Sequence, residues 1–217
     1  MMQKAIMLGM REAKYHPLEP MGRAIGKVLQ GLVQLSLSDD FSILEADNGA
    51  GTRMDGYSLG IAYFEVEEDT LTRAQADRLI QYVREGGALL ILHNGICFQD
   101  ALARPLFPAR FIGHPPYETM PLLAFSADPQ GHEVMEGIPS FTLPEEAYMF
   151  EIADMEALSP FLWFEYEGMR YPAGWAKEYG CGRMVYLTPG HQADVCENQA
   201  FARLLQNAAK WTMGSAW

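Results

Sequence analysis

The chain has 217 residues with a formal net charge of −12 and a pI near 4.8, a length that fits one α/β domain with a sizeable core. Hydrophobic residues make up 49% and charged residues 20%, which excludes a disordered chain, and the acidic balance argues against nucleic acid or an anionic membrane as partner. No apolar run reaches the ~18 residues of a membrane-spanning helix, the N-terminus has no signal-peptide pattern, and an odd set of cysteines, Cys97, Cys181 and Cys196, suits a reducing cytoplasm rather than a disulfide framework.

Lys4 to Gly9 reads as the first strand. The polar segment Met10 to Pro20, with His16-Pro17, leaves the carboxyl end of that strand. From Met21 to Leu35 the apolar residues 21, 25, 28, 29 and 32 have helical spacing. Phe41 to Glu45 reads as a short second strand, Asn48 to Gly51 as a polar turn, and Leu59 to Phe64 as a third strand. Thr72-Arg-Ala-Gln75 has the pattern of a capping box and opens a helix with apolar residues at 76, 79, 80 and 83, closed by Gly86.

The next stretch, Gly86 to Gly95, organises the rest. Ala88-Leu-Leu-Ile-Leu92 has no polar alternation, which suits a strand covered on both faces of a parallel sheet, and it ends in His93. In open α/β sheets ligands sit outside the carboxyl ends of the strands, so His93 is the first site candidate.

Beyond it, Phe98 to Phe107 suggests a short helix. Leu122 to Ser126, Tyr148 to Ile152 and Pro160 to Tyr166 suggest strands. Gly174 to Thr188 reads as a hairpin with a glycine turn, and Asn198 to Met213 as a closing helix. The alternation of strands and helices predicts a doubly wound sheet in a single domain, residues 1–217.

His191 also ends an apolar strand, so His93 and His191 should meet at one edge as acid/base groups or as ligands of a zinc-like ion, with His114 or a carboxylate as a third ligand. His132 should order its own loop, and nothing in the sequence separates a functional from a structural reading of His16. In Glu145-Glu146 at most one carboxylate would face a site; Glu146 is the candidate general base, against a solvated turn carboxylate. Cys97 follows His93 closely, but its apolar flanks suit an inert thiol, and no nucleophile elbow surrounds it. Trp163, Trp175, Tyr148, Tyr171 and Tyr179 could stack on sugar rings or pack in the core. No phosphate-binding glycine loop occurs, so no nucleotide cofactor is expected.

Several of these pieces resemble one family. Pro172-x-x-Trp175-x-x-x-Tyr179-Gly180-x-Gly182-Arg183-x-Val185-Tyr186-x-Thr188-x-Gly190-His191 is similar to the C-terminal signature of ThuA-like (trehalose utilisation) proteins. Gly86 to His93, Phe111 to Pro115, Gly131 to Phe141 and Glu145-Glu146-x-Tyr148 resemble further segments in the same order, with Glu133 where the family usually has Pro and Glu145 where it has Asp. The resemblance implies a flavodoxin-like three-layer sandwich related to class I glutamine amidotransferases, with a mostly parallel sheet and helices on both faces. It also implies a role in disaccharide or glycoside metabolism, keto-sugars included. Carried over residue by residue, the site is His93, His114, Glu146, Arg183 and His191.

The leading expectation is therefore an enzyme, a hydrolase or isomerase of a small-molecule sugar. His93, His191 and Glu146 would be catalytic, and His114, Trp175, Tyr148 and Arg183 would contact substrate. A divalent metal such as zinc is a candidate cofactor on His93, His114 and His191. The alternatives are a non-catalytic sugar-binding or scaffold protein, or a hydrolase using Cys97 with His191. Exposed aromatics are compatible with a homo-oligomer.

Overall fold

The structure, a computed structural model, describes residues 2–45, 53–64, 71–96, 109–116 and 120–214. Cys97, the helix expected over 98–107 and the turn expected over 48–51 lie outside the described residues. The first half alternates strands and helices: β1 (Gln3–Gly9), α1 (Leu18–Val28), β2 (Val33–Ser38), β3 (Leu59–Tyr63), α2 (Arg73–Arg84) and β4 (Ala88–Leu92). The second half is strand-rich: β5 (Ala109–Gly113), β6 (Leu122–Ala127), β7 (Phe141–Pro144), β8 (Met149–Ile152), the one-turn α3 (Met155–Leu158), β9 (Pro160–Tyr166), β10 (Met169–Tyr179), β11 (Gly182–Leu187) and α4 (Gln199–Thr212). Among the described residues, no helix is long and apolar enough to cross a membrane.

Among the described residues nine strands form one sheet, β2-β1-β3-β4-β11-β10-β9-β6-β7, and β5 pairs with β8 in a separate ribbon. β2, β1, β3, β4 and β11 are mutually parallel. From β11 through β10, β9 and β6 to β7 every pairing is antiparallel. The expected mostly parallel sheet is thus corrected to a mixed one. The reason is local: β9–β10 and β10–β11 are joined only by Glu167-Gly168 and Gly180-Cys181, and a two-residue connection permits antiparallel neighbours alone.

Both faces of the parallel half are covered, which explains the unbroken apolar run of β4. Leu90 and Leu92 face the same core as Met21 and Ile25 of α1 and Phe201 and Leu204 of α4. Leu89 and Ile91 face the other core, with Leu79 and Val83 of α2 and Phe150 of the β5–β8 ribbon. The Thr72 capping box forms as predicted, and Gly86 takes a positive φ just beyond α2.

The second strand lies elsewhere than expected. Phe41–Leu44 is a 3-10 turn capped by Asp40, and the strand is Val33–Ser38. The helical stripe reads smoothly through Leu32, but Gly31 at φ +87° stops the chain after α1, and Val33, Leu35 and Leu37 then alternate with period two.

The glycines of the β10–β11 turn have a packing reason. That turn lies against the end of α2, where Cys181 N–H donates to Arg84 O at 2.9 Å. A Cβ on Gly182 would overlap the carbonyl oxygens of Val83 and Gly87, which are backbone and cannot step aside. Gly182→Ala should therefore lower unfolding free energy by at least about 2 kcal/mol in chemical denaturation. A loss within 0.5 kcal/mol, the range of ordinary surface changes, would contradict this close approach.

Candidate functional site

Because β1, β3, β4 and β11 run parallel, their carboxyl ends share one edge. β2 lies on one side of β1 and the later strands on the other, so a crevice opens where the strand order reverses. His16 lies in the loop after β1, Tyr63 ends β3, His93 follows β4, and His191 follows β11. The loop after β7 adds Glu145 and Glu146 from the antiparallel half. His93 has φ +45°, a left-handed conformation that costs a non-glycine residue on the order of 1 kcal/mol.

Four side chains converge there: His16, His93, Glu146 and His191, all buried. Glu146 Oε2 lies 3.2 Å from His93 Nε2 and 3.1 Å from His191 Nδ1. His191 Nδ1 lies 3.3 Å from His93 Nε2 and 3.1 Å from His16 Nε2. The four donor atoms all fall within 4.8 Å of one another.

The cluster is short of hydrogens. His93 Nδ1 sits 2.8 Å from Thr188 O, and a carbonyl oxygen only accepts, so Nδ1 carries the hydrogen. Burial keeps the ring neutral by lowering its pKa, so Nε2 presents a lone pair to Glu146 and His191. Burial likewise lowers the His16 pKa to about 2. Burial alone would raise Glu146, but the hydrogen bond from His191 outweighs it and holds the carboxyl below its usual range. An anionic carboxylate thus sits among rings that His191 Nδ1 can serve with one hydrogen at most. A cation in the middle would compensate all of these lone pairs at once.

The spacing fits such an ion. Ligands at the ~2.0–2.1 Å typical of zinc stand about 3.3 Å apart at tetrahedral corners; His93 Nε2, His191 Nδ1 and Glu146 Oε2 lie 3.1–3.3 Å from one another, and His16 Nε2 lies 3.1 Å from His191 Nδ1. The Nδ1–H of His93 on a carbonyl is the outer support that ligating histidines usually have. The His/Glu cluster could therefore bind a metal.

The loop carrying His191 is clamped from two sides. Fully buried Glu145 accepts Gly190 N–H at 2.8 Å and His191 N–H at 3.2 Å, while Tyr63 Oη donates to Gly190 O at 2.8 Å. Glu145 also accepts Glu146 N–H at 3.0 Å, tying the two loops together. Burial pushes the Glu145 carboxyl up to about 8 against the pull of these N–H groups. The adjacent carboxylates do point in different directions, but neither is a solvated turn residue. Tyr63 carried no sequence signal beyond ending an apolar strand, and His16 only its place in the loop after β1.

The other predicted residues divide. Tyr148 lies with its ring 4.1 Å from His93 and stacks on His114 at 5.3 Å. His114, 30% exposed, stands 3.7 Å from Glu146 Oε1 on the outer side, its Nδ1 donating to Pro115 O, and is not among the four convergent groups. Trp175 is in the core against Tyr186 and Phe150, which removes it from substrate contact. Arg183 lies at the opposite end of β11, level with Ala88, and pairs with Glu178 at 3.0 Å. His132 caps its own turn as expected, and Glu133 accepts from the Trp211 indole.

The model of the family described as ThuA, trehalose utilisation, matches residues 20–212. The chain belongs to the ThuA family. Among solved structures it is similar to a ThuA-like protein from Bacteroides uniformis (21% identity, TM-score 0.75, 97% of this chain and 91% of that one). A ThuA-like protein from Parabacteroides merdae is also similar (13% identity, TM-score 0.71, 100% and 92%), as is a cytoplasmic protein from Salmonella typhimurium LT2 (12% identity, TM-score 0.67, 96% and 99%). At these identities the structures speak for the fold. No curated protein matches the chain in sequence. Membership of the ThuA family supports a role related to sugar metabolism.

The buried rings of this ThuA protein make a prediction about pH. His16 and His93 have folded pKa values below the unfolded value of about 6.5, so the unfolded chain takes up their protons first. Their contribution to stability is present above about pH 6.5 and is lost as pH falls below it. Between pH 6.5 and 5.5 the neutral His16 ring should cost chelator-stripped protein about 1 kcal/mol, while Glu145, pushed up to about 8 by burial, acts in the opposite sense. In urea denaturation wild type should therefore lose about 1 kcal/mol more over this range than His16→Ala. Equal changes in wild type and His16→Ala would contradict neutral burial of the His16 ring.

Proposed function

We propose that this ThuA-family protein is an enzyme of disaccharide or glycoside metabolism, a hydrolase or isomerase whose substrates include keto-sugars. Its site would hold a divalent ion such as zinc. The observation that carries the reading is the convergence of four buried donors on the carboxyl edge of a parallel sheet, three of them at zinc-like spacing. His93, His191 and Glu146 would hold the ion, which when bound polarises a ligand oxygen and acidifies bound water. Glu146 Oε1 and His114 lie on the outer side, where they can take or return a proton, and Tyr148 orients both histidine rings. The strand order β2-β1-β3-β4-β11 supports a flavodoxin-like, amidotransferase-like ancestry for the parallel half. The cytoplasmic Salmonella relative supports a cytoplasmic location.

A second reading, sugar binding without turnover, is favoured by one observation: all four donors are buried, as in a closed structural site. The test measures metal in protein purified without a histidine tag. Wild type should carry about one equivalent, and His93→Ala and His191→Ala should lose it with the fold retained. Disaccharides and keto-glycosides are then screened, and turnover should fall by at least ~100-fold in both variants while persisting in Cys97→Ala. A metal-free wild type overturns the metal reading. Sugar-induced melting shifts without turnover favour the binding protein, and loss of turnover in Cys97→Ala favours the thiol.

A further inference from the structure

We propose that His16 is an exchangeable donor: it covers the cation position held by His93, His191 and Glu146 and yields that position to a ligand oxygen, from water or from a hydroxyl or carbonyl group. The inference rests on the metal-holding reading above and names the residue that opens the site. Three observations separate His16 from the other three groups.

The first is geometric. His93 Nε2, His191 Nδ1 and Glu146 Oε2 form a closed triangle with sides of 3.1, 3.2 and 3.3 Å. His16 adds a single short contact, 3.1 Å to His191 Nδ1. Three protein ligands and one replaceable position are what a catalytic zinc site keeps, whereas four fixed ligands make a structural one.

The second is support. His93 is anchored by Thr188 O, the backbone of His191 by Glu145, and the backbone of Glu146 also by Glu145. Permanent ligands are held in this way, since the second ring nitrogen or the carrying backbone fixes the donor's direction. His16 Nδ1 is buried and makes no hydrogen bond among the described residues. Swinging outward would let water satisfy that nitrogen, so the covering position is not one the ring is locked into.

The third is the carrier. Of residues 10–17, His16 alone is buried. The segment has neither helix nor strand, and Leu18 N–H donating to Met10 O at 3.0 Å draws its ends together. Arg11 ties it to Glu19 and to Asp39 only through exposed ion pairs, which hold weakly. The loop can therefore carry the ring away without disturbing β1 or α1.

The experiment loads chelator-stripped wild type, His16→Ala, His16→Gln and His93→Ala with zinc or cobalt(II) and measures affinity by competition with a chromophoric chelator. Circular dichroism checks the fold, and His16→Gln serves if the smaller side chain leaves the loop unfolded. Both His16 variants should keep one equivalent with affinity lowered less than about tenfold, while His93→Ala loses more than about 100-fold. Imidazole should then shift the visible spectrum of cobalt-loaded His16→Ala with saturation, and wild type should need at least about tenfold more imidazole because His16 competes for the position. If the His16 variants lose metal as fully as His93→Ala, His16 is a fixed ligand and this inference falls while the metal site stands. A His16→Ala spectrum that imidazole leaves unchanged also overturns it. A wild type that binds neither ion overturns the metal reading and this inference together.

Discussion

An ionised carboxylate buried against the neutral rings of His16 and His93 is stable only if something positive sits beside it, and this constraint governs the His/Glu cluster at the carboxyl edge. Glu146 is 4% exposed and His93 is fully buried, yet their facing atoms are 3.2 Å apart with the His93 hydrogen spent on Thr188 O. Water cannot reach in to screen the pair, so either a proton or a cation has to mediate it. The left-handed backbone of His93 and the buried Glu145 clamp are local costs accepted to hold this arrangement.

The mixed sheet explains how the chain assembles such a site. The parallel half supplies rings from three strand ends that are distant in sequence and adjacent in space. The antiparallel half, packed on the same core as α4, supplies the carboxylates, which arrive from just beyond β7 and bond to the loop after β11. Neither half is a site alone. The antiparallel extension is thus more than an elaboration of a doubly wound fold, since it carries both the anion and the clamp.

The same packing sorts the aromatic residues. Tyr148 and Tyr63 take part in the site because their strands or loops end at the carboxyl edge. Trp175, opposite Tyr186 in the β10–β11 ladder, points into the core between the sheet and the β5–β8 ribbon. Arg183 stands at the start of β11, away from the carboxyl edge, next to a turn whose glycines allow contact with the end of α2.

Local chemistry by itself determined much of this protein. The unbroken apolar run of β4 announced a strand covered on both faces, Thr72 and Gln75 announced the start of α2, and two strand-ending histidines announced the edge where the His/Glu cluster forms. These are short-range properties, readable because burial, capping and turn formation depend on near neighbours. Where a helical stripe ran into a period-two strand at Val33, the two periodicities overlapped and the boundary was misread. Tertiary structure alone decided the rest. It put Glu145 in the clamp, brought in His16 and Tyr63, and sent Trp175 and Arg183 elsewhere. Those outcomes depend on which strand ends lie side by side, and strand order is set by long-range packing that no window of sequence contains.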